Sequence, residues 1–212
     1  VYPNAIQIVT LEGSGIRSLP DLVGKRVSIG APGSGTEAMN RDVFNAVGIT
    51  YDQFAKAARL SYAETTNAMK DGNLDAGSLS VGLGSSALLD LASVRDMEMV
   101  CMSGDEQTRV TAKFPYYSAF TIPRGSYQGV DYDCPTIQVA NHLFVRADAE
   151  EDLVYQMTRL MYENVARLAQ SNAAAATIAP AYALESTVIP LHPGAIKYFA
   201  EVGVEVPERL RP

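Results

Sequence analysis

The nine residues Gly30-Ala31-Pro32-Gly33-Ser34-Gly35-Thr36-Glu37-Ala38 constrain this chain more than any other segment. Upstream, Arg26-Val27-Ser28-Ile29 alternates in polarity as a short strand does. Downstream, Ala38, Met39, Val43 and Val47 recur at a helical period that ends near Gly48. The glycines therefore mark a strand-to-helix turn, and the fold must accommodate βα units. Such a turn leaves the first backbone N–H groups of the helix without intrahelical partners, at the positive end of the helix dipole. With the Ser34 and Thr36 hydroxyls alongside, it is an anion cradle that holds a carboxylate or phosphate without any lysine. A local reading stays open beside this one: a serine before a helix caps its own backbone, and a glycine pair makes the bend. A similar device recurs at Ser78-Leu79-Ser80-Val81-Gly82-Leu83-Gly84-Ser85-Ser86. Two such turns in one α/β unit point to a ligand crevice at the carboxyl ends of the strands.

Composition narrows the possible partners. The chain has 212 residues, 47% of them hydrophobic, enough for one large domain or two small lobes. Seventeen Lys and Arg stand against 24 Asp and Glu, a net charge of -7, which argues against a broad nucleic-acid-binding face. A small anion held by backbone N–H groups is compatible with that charge. The only histidines are His142 and His192, so neither a histidine-rich metal site nor a HExxH protease is expected. Cys101 and Cys134 are enough for one bridge, but their number leaves the pairing open. No run of about 18 apolar residues is present to span a membrane. The chain begins at Val1 without a signal peptide, as expected of a processed product or a trimmed chain.

Along the chain, Ala5-Ile6-Gln7-Ile8-Val9 reads as a strand, and from Lys25 the pattern becomes βαβα. Ser61 and Glu64 form a capping box opening a helix to about Lys70, which stops at Asp71-Gly72. Ser85 to Ala92 reads as a short helix, followed by a strand from Met97 to Met102. Asp71 and Asp75 flank a helix end, where exposure to solvent is the simplest expectation. Beyond Ser103 the sequence turns aromatic and proline-rich, with strands expected at Ser118 to Ile122 and Thr136 to Ala140. Asp148 and Glu151 form another capping-box pair. The stripe Leu153, Val154, Met157, Leu160, Met161, Val165 and Leu168 then reads as one continuous helical face turned to a core. A last short helix is expected near Ala195 to Val202, after a turn in which His192 bonds locally to backbone.

Two glycine patterns, Gly33-x-Gly35-x-x-Ala38 and Gly82-x-Gly84-x-x-Ala87, match a loose dinucleotide fingerprint, so an NAD(P)-binding oxidoreductase domain is one alternative. That fingerprint also requires an acidic residue about twenty positions on; after the first pattern the region near Arg59-Leu60-Ser61 has none, whereas Asp105 follows the second. Gly-x-Ser-x-Gly and Gly-x4-Gly-Lys-Ser/Thr are both absent, which leaves a serine hydrolase or a P-loop NTPase without its central part.

Several blocks resemble the TAXI solute-binding proteins of tripartite ATP-independent periplasmic (TRAP) transporters. They are Ser14-Gly15-Ile16 with Asp21-Leu22-Val23-Gly24-Lys25-Arg26-Val27, Gly33-Ser34-Gly35-Thr36-Glu37, Asp71-Gly72-Asn73-Leu74-Asp75-Ala76, Ile122 to Gly129, and Ile189 to Ala195. The resemblance covers nearly the whole chain, without the opening segment that family members carry. It implies an α/β, periplasmic-binding-protein-like (type II) fold, two lobes joined by a hinge, with the first lobe incomplete. Residues 24–102 would form the second lobe, and 1–23 with 103–212 the remainder of the first. It further implies an extracytoplasmic binding protein, signal peptide removed, that is not an enzyme and carries no cofactor and no metal. A lipid anchor remains open for a full-length parent. Such a protein takes up a small carboxylate or amino acid, glutamate or glutamine among them, in an interlobe cleft and delivers it to TRAP membrane subunits. The expected ligand contacts are Ser34, Gly35 and Thr36 on one wall, Gly82 and Leu83 on another, and Tyr127 from the hinge side. A ligand-sensing domain of a regulator is the remaining alternative.

Overall fold

The computed structural model describes residues 1–184 and 187–212. Two compact units are formed, one by Asn4–Val139 and one by Val1–Pro3 with Ala140–Pro212. The boundaries expected after residues 23 and 102 fall inside the first unit, because segments on both sides of them share one sheet.

That sheet is built from β1 (Pro3–Leu11), β2 (Arg26–Ser28), β3 (Lys56–Ala58), β4 (Ala76–Val81), β5 (Met97–Met99), β6 (Tyr117–Ile122) and β7 (Cys134–Ala140). The strand order is β3-β2-β4-β1-β7-β6, with β5 also paired to β1. Strands β2, β3 and β4 run parallel, and β1 lies antiparallel to β4 in the register Gln7↔Leu79. Parallel neighbours need crossovers, which α1 (Gly35–Val47) and α2 (Tyr62–Lys70) supply. Two further helices, α3 (Ser86–Val94) and α4 (Gly104–Lys113), complete the unit. The helix α4 is an addition to the elements expected from the sequence, although Ser103 and Glu106 make a full capping box there.

The two-residue alternation of the strands separates two cores. Ile6, Ile8, Val27 and Ala76 pack with Met39, Val43 and Phe44 of α1 and Val110 of α4. On the other side Val9, Leu79 and Val81 pack with Met69 of α2 and with Leu88 and Leu91 of α3. Helices thus cover both faces of a mixed sheet. Asp75, expected to be solvent-exposed, instead takes the Arg26 backbone N–H at 2.7 Å and its guanidinium Nε at 3.1 Å, locking the start of β2 to the start of β4. A disulfide joins Cys101, just after β5, to Cys134 at the start of β7.

In the other unit, the α-helices among the described residues are α5 (Glu151–Glu163), α6 (Val165–Ser171) and α7 (Pro193–Glu201), and α5 with α6 replaces the single long helix expected from Leu153 to Leu168. Asn164 interrupts it by turning its amide onto the Leu160 carbonyl at 2.8 Å. The expected capping box at Asp148 does not form, since that carboxylate is held by Arg146. Of the apolar stripe only Val154 is buried, and Leu153 and Leu160 are more than half exposed at 56% and 57%. The core of this unit is aromatic, with Tyr198 stacked on Tyr162 and packed beside Phe199. Gly194 lets α7 approach α5, because a Cβ there would lie 2.3 Å from the Glu151 carbonyl oxygen. His192 bonds locally as expected, its Nδ1 accepting the Gly194 N–H.

Candidate functional site

The carboxyl ends of the three parallel strands β2, β3 and β4 lead into three turns, each opening a helix: residues 29–34 before α1, 59–61 before α2 and 82–85 before α3. The candidate site is this edge of the sheet in the 4–139 unit, where α/β folds place ligands.

The first turn bends at Gly30, whose φ is +94° and where a Cβ would lie 2.8 Å from both the Glu37 nitrogen and Thr36 Cγ2. Only glycine fits there. Ser34 is the N-cap of α1, and its hydroxyl accepts the Glu37 N–H at 3.1 Å. The N–H groups of Gly35 and Thr36 lie in the first turn, where no intrahelical acceptor exists. Gly35 is exposed, with open space where a Cβ would stand. Glu37 closes one side: its Oε2 accepts the Gly33 N–H at 2.9 Å, and its Oε1 lies 3.6 Å from Arg59. That backbone hydrogen bond, aided by Arg59, holds the Glu37 carboxyl below its ordinary pKa.

The Thr36 side chain is buried, at 2% exposure, and its hydroxyl is already engaged. It accepts the Ser80 N–H at 3.2 Å. The Tyr62 hydroxyl donates to the Ser80 carbonyl at 2.8 Å, so in the 2.8 Å contact between the two hydroxyls it is Thr36 that donates. Thr36 therefore ties the starts of α1 and α2 to the end of β4. Beneath it, Asn40 donates to the Ile29 carbonyl and accepts from Ser78, while Ser28 and Thr65 share a hydrogen bond of 2.6 Å. These buried, satisfied polar contacts fix the turns relative to one another.

In the third turn Gly82 and Leu83 are half-buried, with Leu83 packed against the α3-side core. Ser85 precedes α3 without a side-chain cap, in contrast to Ser34 and Ser61. Tyr127 is buried at 3%, and its hydroxyl donates to Gln7 Oε1 at 2.7 Å and accepts the Gly84 N–H at 3.2 Å. Burial raises its pKa above the ordinary phenol value. Gln7, fully buried on β1, donates in turn to the Val81 carbonyl at 2.9 Å. Sequence reasoning missed Gln7 and Arg59. The one available signal for Gln7 is an amide amid the apolar run Ala5 to Val9.

The mixed sheet with helices on both faces is of the α/β class expected from the sequence. The chain belongs to the NMT1-like family, whose model matches residues 1–203. Among solved structures it is similar to the periplasmic aliphatic sulphonate binding protein SsuA from Escherichia coli, at 15% identity and a TM-score of 0.46, over 83% of this chain and 53% of that one. It is also similar to an ancestral arginine-binding protein bound to arginine, at 15% identity and a TM-score of 0.40, over 82% and 58%. Holo ArgBP from T. maritima matches at 18% identity and a TM-score of 0.34, over 66% and 46%. The chain spans about half the length of these structures. Among the described residues, no helix is long and apolar enough to cross a membrane.

Proposed function

We propose that this chain belongs to an extracytoplasmic solute-binding protein that takes up a small carboxylate, such as glutamate or glutamine, and delivers it to the membrane subunits of a TRAP transporter. The observation that carries this reading is the gathering of three helix starts at the carboxyl ends of β2, β3 and β4, with first-turn N–H groups of α1 and α3 not taken by caps. In this reading the ligand's carboxylate sits on the main-chain N–H groups of Gly35 and Thr36 beside Ser34. Gly82 and Leu83 form the second wall, and Tyr127 acts from behind it. The Cys101–Cys134 bridge supports an oxidising, extracytoplasmic setting. The resemblance to TAXI proteins supplies the TRAP assignment. In the dinucleotide alternative a carboxylate is needed at the end of β3, where Arg59 stands. A sensor domain would use the same binding event with an output domain attached.

A thermal-shift screen against amino acids, dicarboxylates, alkanesulfonates, phosphate and nicotinamide dinucleotides tests the proposal, run on this chain and on longer natural forms that carry it. A dose-dependent rise in Tm with glutamate or glutamine is the expected result. A rise with dinucleotides alone overturns it.

A further inference from the structure

The turn before α3 is fixed by residues remote in sequence. Its neighbours at α1 and α2 carry serine caps whose hydroxyls accept helix N–H groups, whereas Ser85 does not cap α3. Instead the Gln7 amide donates to the carbonyls of Val81 at 2.9 Å and Gly82 at 3.3 Å, and the Tyr127 hydroxyl takes the Gly84 N–H at 3.2 Å. The two side chains are joined to each other at 2.7 Å. Three backbone groups between Val81 and Gly84 are thus held from β1 and from the loop between β6 and β7, through one continuous polar chain buried beside the α3-side core. That loop is secured independently: the Tyr132 hydroxyl accepts the Met99 N–H at 2.8 Å, Gly125 donates to the Val130 carbonyl at 2.7 Å, and the disulfide anchors Cys134.

We propose that Gln7 and Tyr127 are positioning residues for ligand binding: they set the second wall, Gly82 to Ser85, at the distance from the α1 turn that one small anion requires, without touching the ligand themselves. Their geometry suits this role. Tyr127 has its donor and an acceptor site committed to Gln7 and Gly84, and Gln7 is fully buried. An aromatic or aliphatic pair of equal volume would fill the same space, but it would leave the Val81 and Gly82 carbonyls and the Gly84 N–H without these partners. Because the Ser85 hydroxyl is not turned onto α3, the Ser86 and Ala87 N–H groups are left for a ligand in this reading, while the Leu88 N–H donates to the Ser85 carbonyl at 3.1 Å and the wall itself is still fixed. The proposal rests on the binding role given above.

The test uses Tyr127→Phe, which keeps the ring and removes the hydroxyl, together with Gln7→Met. Two readouts are taken on the full 212-residue chain: amide hydrogen exchange at Gly84 and Ser85 without ligand, and the Kd for L-glutamate and L-glutamine by calorimetry. The expected result is faster exchange at Gly84 and Ser85 and about three- to tenfold weaker binding in Tyr127→Phe. The double variant should lose no more than the worse single one, because both act through one chain of hydrogen bonds. Faster exchange with unchanged Kd overturns the positioning role and leaves the binding reading intact. Independent, additive losses also overturn it. If the unaltered chain and its longer natural forms bind neither ligand, the carboxylate reading falls and takes the positioning role with it.

Discussion

Thr36 and Ser80 meet across the top of the sheet, the hydroxyl of one accepting the backbone N–H of the other at 3.2 Å. The contact joins the first turn of α1 to the end of β4, so the proposed anion cradle and the proposed second wall share one floor. Replacing Thr36 by valine keeps the shape and leaves the buried Ser80 N–H unpaired. A loss of about 1–3 kcal/mol of unfolding free energy is expected in urea titrations. Stability equal to that of the unaltered protein would refute this role for the hydroxyl.

Gly30 and Gly35 should behave in opposite ways although both belong to the same glycine-rich turn. Gly30→Ala forces a left-handed φ of +94° on alanine and drives its Cβ against the Thr36 side chain and the Glu37 nitrogen. A cost of roughly 2–4 kcal/mol is expected in denaturant melts. Gly35→Val meets open space, so the fold should survive, while its branched side chain intrudes where the anion is proposed to sit. Circular dichroism unchanged together with glutamate binding abolished is the expected pair of results.

The Arg26–Asp75 pair predicts the acid limb of stability. Hydrogen bonding to the Arg26 side chain holds the Asp75 carboxyl below its ordinary pKa. A depressed folded-state pKa contributes stability that is complete above the unfolded value, near about pH 4, and is lost as pH falls through the folded value. Asp75→Asn should therefore flatten the decline in Tm between about pH 5 and pH 2, as measured by calorimetry across that range. An identical pH profile in the variant would show that other carboxylates govern the decline.

Reduction of the Cys101–Cys134 bridge opens a loop whose ends are 33 residues apart in sequence. Cross-links of this kind contribute about 2–4 kcal/mol. Denaturation with and without a dithiol reductant should show a loss in that range, matched by the Cys101→Ser, Cys134→Ser double variant.

The elements that can be read from the sequence are those whose signals are local. Ser34 and Gly48 bracket α1 as cap and left-handed terminator, and Ser61 with Glu64 opens α2. The candidate edge is legible for the same reason, since glycines and serines mark βα turns directly. Three-residue strands such as β3 are too short to show a period. The stripe of α5 and α6 carries the right spacing for a core, but spacing reports a face and not what covers it, and Leu160 stands largely exposed. The hydroxyl of Thr36 is expected from the sequence to meet a ligand. Its capture by Ser80 and Tyr62 depends on residues 44 and 26 positions away, a distance no local pattern spans.

The uncapped start of α3 carries a consequence for how the protein is made. The turns before α1 and α2 can acquire their shape from a few neighbouring residues, as soon as those residues leave the coil. The turn before α3 waits for Gln7 and Tyr127, which are 120 positions apart, to find each other. Bringing together residues so far apart costs more loop-closure entropy than forming a local cap. The turn before α1 is thus shaped largely by its neighbours in sequence, whereas the turn before α3 has its shape only when β1 and the loop before β7 are both in place around it.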